Sequence, residues 1–272
     1  MRALICLIAA IGLWPFAANA CGQDTDCKIG DRVYRIAMPE NVEGPIGALV
    51  YNHGYRGSHK GAMKNKSLIA LAHGQGMALV STKSAGDDWL IPGVPSNPDE
   101  DGAVEFAYFD AVIEDLVTRH GIVRDRLVAS GFSAGGMMVW NLVCHRGDAF
   151  AGFVPVAGTF WEPVPQACPS GAVQVVHVHG TSDKIVPLTG RRIAQSKQGS
   201  VFDALEMISR VGGYGDRQPM PGIEDLTCAG RAAPGGEVLG FCTHPGGHSF
   251  KASYLSAALE ILKNAGALPD RE

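Results

Sequence analysis

The chain has 272 residues, 46% of them hydrophobic and 18% charged, with 23 basic against 27 acidic side chains. That apolar share excludes an intrinsically disordered chain. A mildly acidic balance with no block of Lys or Arg argues against a partner held by its phosphates, so no nucleic acid is expected.

Taken in chain order, the first twenty residues carry one positive charge at Arg2, then an apolar run from Ala3 to Phe16, then Ala18, Asn19 and Ala20 ahead of Cys21. This is the pattern of a signal peptide over 1–20, leaving 21–272 as a single catalytic domain in an extracellular or periplasmic compartment. The run is short for a bilayer span and Pro15 interrupts it, so no integral membrane segment is expected after cleavage. A membrane anchor and a lipoprotein acylated at Cys21 stay open as alternatives, although Ala18 stands where a lipobox usually has leucine. Removing the leader leaves Cys21, Cys27, Cys144, Cys168, Cys228 and Cys242. An even number of cysteines in an exported chain predicts disulfides. Six cysteines allow about 15 connectivities among which the sequence alone does not choose; closeness along the chain favours Cys21 with Cys27, Cys144 with Cys168, and Cys228 with Cys242.

Short apolar or β-branched runs alternate with longer amphipathic ones. The order is strands at 33–38 and 48–51, a helix at 64–72, a strand at 78–81, a helix at 106–120, a strand at 127–130 and a helix at 134–145. Strands follow at 153–156 and 173–178, then a helix at 201–211, a strand at 238–242 and a helix at 252–264. In the second helix Phe106, Phe109, Val112, Ile113, Leu116 and Val117 have the spacing of one buried face. Such alternation predicts an α/β fold with a mainly parallel sheet covered by helices on both faces. The Pro/Gly-rich stretches 92–98 and 219–222 read as surface loops.

Gly131, Phe132, Ser133, Ala134 and Gly135 spell G-x-S-x-G between a predicted strand and an apolar helix. That is the context of a nucleophile elbow, in which a sharp turn lifts a serine hydroxyl from the sheet edge above a helix N-terminus. A serine needs a base to take its proton and an acid to orient the base. Asp183, in the turn after the strand of His177 and His179, fits the acid. His248, in a glycine-rich turn before the last helix, fits the base, with His244 as its competitor. Oxyanion donors are expected from the backbone amides of Ala134 and Tyr55, the latter because His53-Gly54 ends a strand. Trp89 and Trp161 follow predicted strands and are candidates to line the cleft, with a plain packing role as the alternative. His177 and His179 have no third ligand nearby, so neither a metal nor any other cofactor is expected.

These motifs resemble the secreted α/β-hydrolase esterases grouped as polyhydroxybutyrate depolymerase-like and feruloyl esterase-like proteins. The likeness is carried by 32–39, His53-Gly54, the helix on 109–116, the elbow through Met138, 155–158, 179–187 and Gly246-Gly247-His248. The resemblance implies that Ser133, Asp183 and His248 are nucleophile, acid and base, acting on a small or oligomeric ester. Ser249 and Phe250 follow the histidine where many relatives have tryptophan and proline. Two rivals remain: a serine peptidase of the same fold and a catalytically silent extracellular binding protein.

Overall fold

The computed structural model describes residues 21–221, 223 and 225–268. The expected leader, 1–20, lies outside the described residues. The elements begin with β1 (Cys27–Ile29), β2 (Arg32–Ala37), β3 (Gly47–Asn52), α1 (His59–Ala62), α2 (Lys66–Gly74) and β4 (Met77–Thr82). Then come α3 (Ala103–His120), β5 (Leu127–Phe132), α4 (Ala134–His145), β6 (Gly152–Val156) and β7 (Val175–Gly180). The chain continues through β8 (Arg192–Ile193), β9 (Ser196–Lys197), α5 (Val201–Gly212) and β10 (Gln218–Pro219). It ends with β11 (Thr227–Ala232), β12 (Val238–His244) and α6 (Ala252–Asn264).

Among the described residues, ten strands form one sheet in the order β1-β2-β4-β3-β5-β6-β7-β12-β11-β10. Its middle, from β4 to β12, is parallel, and antiparallel neighbours close each edge. The expected mainly parallel sheet is therefore what forms. Every residue of β3, β4 and β7 is buried, as strands covered on both faces require, which is why they read as continuous apolar runs. On one face Phe109 and Leu116 of α3, Trp140 of α4 and Met207 of α5 meet the sheet. On the other face Leu68 of α2 and Leu255, Leu259 and Leu262 of α6 do so.

Connectivity reverses at β3: the chain steps out to β4 and returns to β5 on the other side. In sheets of this kind ligands bind outside the carboxyl ends of the strands at such a reversal, which here is the edge that carries the turns after β3 and β5.

All seven expected strands are present, and α4 and α6 have the expected bounds. The expected helix at 64–72 forms as α2 but starts two residues later, at Lys66, because Asn65 stays out of helical geometry and caps α2 by accepting from the Leu68 N–H. Pro219 lies in β10, an antiparallel edge strand, rather than a loop. A proline is tolerated there because an edge has no neighbour to receive its missing N–H.

Disulfides join Cys21 to Cys27, Cys144 to Cys168, and Cys228 to Cys242. The last pair sits directly opposite in the β11–β12 register and secures the penultimate strand, whose Thr-Cys-Ala-Gly-Arg-Ala sequence has little strand preference of its own. Among the described residues, no helix is long and apolar enough to cross a membrane.

Candidate active site

Ser133 stands between β5 and α4 with φ 58° and ψ −121°, a conformation costly for any residue with a Cβ. The neighbours hold it there. Its N–H donates to Val156 O at 3.0 Å, and eleven of the twelve residues of α4 are buried. A Cβ on Gly135 would lie 2.0 Å from the Asn52 carbonyl oxygen, so only glycine lets the new helix start this close to β3. The result is a half-buried hydroxyl at a helix N-terminus, where unpaired N–H groups favour negative charge.

His248 bridges serine and acid. Its Nδ1 lies 2.7 Å from Asp183 Oδ2 and its Nε2 lies 2.9 Å from Ser133 Oγ. An ionised carboxylate only accepts, so Nδ1 carries the proton and Nε2 presents its lone pair to the serine O–H. Phe132 packs against the imidazole with ring centroids 4.6 Å apart, and Phe250 and Tyr51 extend the aromatic wall.

Asp183 is held in the turn after β7. Its Oδ1 accepts from the N–H groups of Ile185 and Val186 at 2.8 and 2.9 Å. Burial pushes the carboxyl up, but hydrogen bonds from His179, His248, Val186 and Ile185 outweigh it and leave the acid well below the usual carboxylate range. The turn is tied to the histidine turn by Thr181 N–H to His244 O and Ser182 N–H to Gly246 O, at 2.8 and 3.0 Å. The two segments approach so closely that a Cβ on Gly180 would lie 2.4 Å from the carbonyl oxygens of both Gly246 and Gly247. His244, the competitor for base, points away. Its Nδ1 accepts from Gly246 N–H and its buried ring stacks on Tyr254 at 4.6 Å.

The loop after β3 runs beside the serine, since a Cβ on Gly54 would lie 3.4 Å from Ser133 Cβ. The Gly54 carbonyl is held by His53 Nδ1 at 2.9 Å and by Gly57 N–H at 2.8 Å. Ser84 N–H donates to His53 Nε2 at 3.3 Å, which fixes the proton on Nδ1. In a trans peptide the N–H opposes the C=O, so clamping the Gly54 oxygen also fixes the direction of the Tyr55 N–H. Ala134 is the first residue of α4, and its N–H has no carbonyl one turn back.

Solved structures share this arrangement of strands and helices. An acetyl xylan esterase from Aspergillus awamori superposes with a TM-score of 0.59 at 12% identity, covering 80% of this chain and 89% of that one. A Bacillus cereus carboxylesterase gives 0.57 at 12%, covering 87% and 95%. In sequence, the pattern of a family described as Phospholipase/Carboxylesterase matches residues 95–209. NocK of Nocardia uniformis subsp. tsuyamanensis, assigned as an esterase, is 29% identical over 80% of this chain and 70% of its own. The chain is an esterase of the α/β-hydrolase fold. A protein of Aspergillus flavus assigned as feruloyl esterase C is 23% identical over 70% of the esterase and 71% of its own length.

Two expectations about the esterase are corrected. Trp89 does not line a cleft. It is wholly buried, and its Nε1–H donates to His53 O at 2.8 Å, so it braces the loop from beneath. Trp161 is also a core residue, 6% exposed, because the chain after β6 folds back and lays it against Gly93. Near the site, Tyr55 and Ile185 are each about half exposed, and Phe132 and Phe250 are partly exposed. The packing of Phe132 on His248 had no signal in the sequence beyond its place in the elbow. Cys21, Cys27 and His120 have ligand-type side chains within reach of one another. The two sulfurs are bonded to each other, however, so neither is a thiolate able to hold a metal.

Proposed function

We propose that the esterase is a secreted serine carboxylic-ester hydrolase that works through an acyl-enzyme on Ser133, with 21–272 as one catalytic domain. The observation that carries this reading is the position of His248, whose ring nitrogens lie within hydrogen-bond distance of Ser133 Oγ and Asp183 Oδ2. In the first half, His248 Nε2 takes the Ser133 proton as Oγ attacks the ester carbonyl. The amides of Ala134 and Tyr55 receive the oxyanion, and His248 returns the proton to the departing alcohol. Water then attacks the acyl-enzyme by the same proton path and frees the acid and Ser133. Asp183 holds the imidazole in the tautomer this requires and stabilises the imidazolium.

The three disulfides fit an oxidising compartment. The candidate substrates are feruloyl and acetyl esters, after the relatives, and hydroxyalkanoate esters, after the family resemblance of the sequence, small or oligomeric. The half-exposed Tyr55 and Ile185 suit an acyl group that is itself partly apolar.

Ser133→Ala tests the mechanism on a short-chain nitrophenyl ester. Activity is expected to fall to background and covalent labelling by a fluorophosphonate to vanish. Full activity would sink the reading. A panel of feruloyl, acetyl-xylan and hydroxybutyrate esters, set against aminoacyl amides, then ranks the substrates by kcat/KM.

A further inference from the structure

His177 and His179 project from alternate positions of β7 into the core and are completely buried. A metal does not explain them. Two nitrogens on one tetrahedral zinc would be about 3.4 Å apart, given bonds near 2.05 Å, whereas His177 Nε2 and His179 Nδ1 lie 2.9 Å apart. That distance is a hydrogen bond.

Its direction follows from the other end of the pair. His179 Nε2 lies 2.8 Å from Val186 O, and a carbonyl only accepts, so Nε2 carries the hydrogen. In the tautomer so fixed Nδ1 presents a lone pair, and His177 Nε2–H fills it. Donors therefore run one way, from His177 to His179 to the acid turn. At that turn the His179 Nε2–H also faces Asp183 Oδ2 at 3.4 Å.

Val186 is the hinge of this arrangement. Its N–H donates to Asp183 Oδ1 while its C=O accepts from His179, so the peptides that grip the carboxylate are anchored to the sheet through one imidazole. His177 is packed between Trp140 and Phe241, at 5.3 and 5.8 Å. Burial pushes its proton affinity well below that of an ordinary histidine, so it stays neutral.

We propose that His179 is a positioning residue for Asp183, and that His177 sets the tautomer in which His179 can do so. The proposal rests on the reading of Ser133, His248 and Asp183 as a triad. It adds two buried residues behind the acid, neither of which touches substrate.

The test compares H179L, which has no donor, with H179Q, which keeps an N–H near the Nε2 position. H177F, which preserves the aromatic packing, is compared with H177Q, which keeps a donor. Steady-state kinetics on a nitrophenyl ester are read with the low-field proton resonance of His248 Nδ1. Losing one buried hydrogen bond should lower kcat about tenfold in H179L and H177F and shift that resonance, with KM changed less than about twofold. H179Q and H177Q should recover to within about threefold of the starting protein.

The proposal is overturned if folded H179L and H177F keep the starting kcat and resonance, or if the Gln variants are as impaired as their partners. Should H179L not fold, H177F against H177Q decides by the same criteria. An inactive S133A beside a normal H177F defeats only the positioning role. An active S133A defeats the triad beneath it.

Discussion

Two turns at one edge of the sheet build the two halves of the site, and they are held by different means. The acid turn after β7 is fastened by side chains: the Asp183 carboxylate binds two N–H groups and His248, and His179 grips Val186. The loop after β3 is fastened through its backbone, with the carbonyls of His53 and Gly54 as the points of attachment and Tyr55 left half exposed. A turn that must orient a charge concentrates its function in one side chain, whereas a loop that must aim an N–H spreads it over the residues that clamp the peptide. Substitutions in the acid turn should therefore be severe and sharply localised, and those in the loop milder and distributed.

The largest effect follows at Asp183. Asp183→Asn keeps the volume, but its amide has one acceptor oxygen for all the donors that the carboxylate serves, and its NH2 would face the proton of His248. The ring is then driven to the wrong tautomer, with its lone pair away from Ser133. A fall in kcat of about 10⁴-fold is expected with little change in KM. A loss below about tenfold would show that orientation of His248 does not depend on this acid.

On the loop side, Trp89→Phe removes the N–H that braces His53 O and leaves most of the ring volume in place. Because the Gly54 carbonyl keeps both of its attachments, to His53 Nδ1 and Gly57 N–H, a loss of only about three- to tenfold in kcat is expected, the scale of one hydrogen bond. Binding of a phosphonate analogue of the tetrahedral intermediate should weaken in proportion. A loss as large as that of Asp183→Asn would erase the contrast between the two turns.

The same contrast explains what could be read from the sequence. Ser133, Asp183 and His248 are side chains in distinctive local settings, an elbow, a post-strand turn and a Gly-Gly turn, and the structure brings them into one hydrogen-bonded chain. The central strands were legible for a similar reason: burial on both faces writes itself as an unbroken apolar run. What was not legible depended on direction or distance. Trp89 follows a strand as a cleft residue would, yet its ring turns inward to a carbonyl 36 positions away. His179 carries the same letters whether its Nε2 faces a metal, water or Val186. Strand β11 owes its place to pairing with β12 and to the Cys228–Cys242 bond rather than to its own residues.

The smallest effect separates the loops by pH rather than by rate. Asp88 lies in the segment that braces the loop after β3, and its Oδ1 accepts from the Trp89 N–H at 2.9 Å. Burial pushes its pKa up to about 6, with Glu105 and Asp87 adding repulsion against the help of that N–H. Folded Asp88 therefore binds a proton more tightly than the unfolded chain does. Its contribution to stability is full below the ordinary carboxylate value and is lost as the pH rises through about 6. His53, His59, His120, His145, His177 and His244 work in the opposite sense, each lowered first by burial, so that stability falls as the pH drops below the ordinary histidine value. Asp88→Asn keeps an acceptor for Trp89 N–H and leaves those histidines alone, so a paired comparison isolates one carboxyl. Relative to the unchanged protein, the Asn variant should gain about 1 kcal/mol between pH 5 and pH 8 in urea unfolding. A difference between the two proteins that stays flat over that interval would mean that Asp88 is ionised in the fold at no cost, and that the brace beneath the loop is as well solvated as the surface.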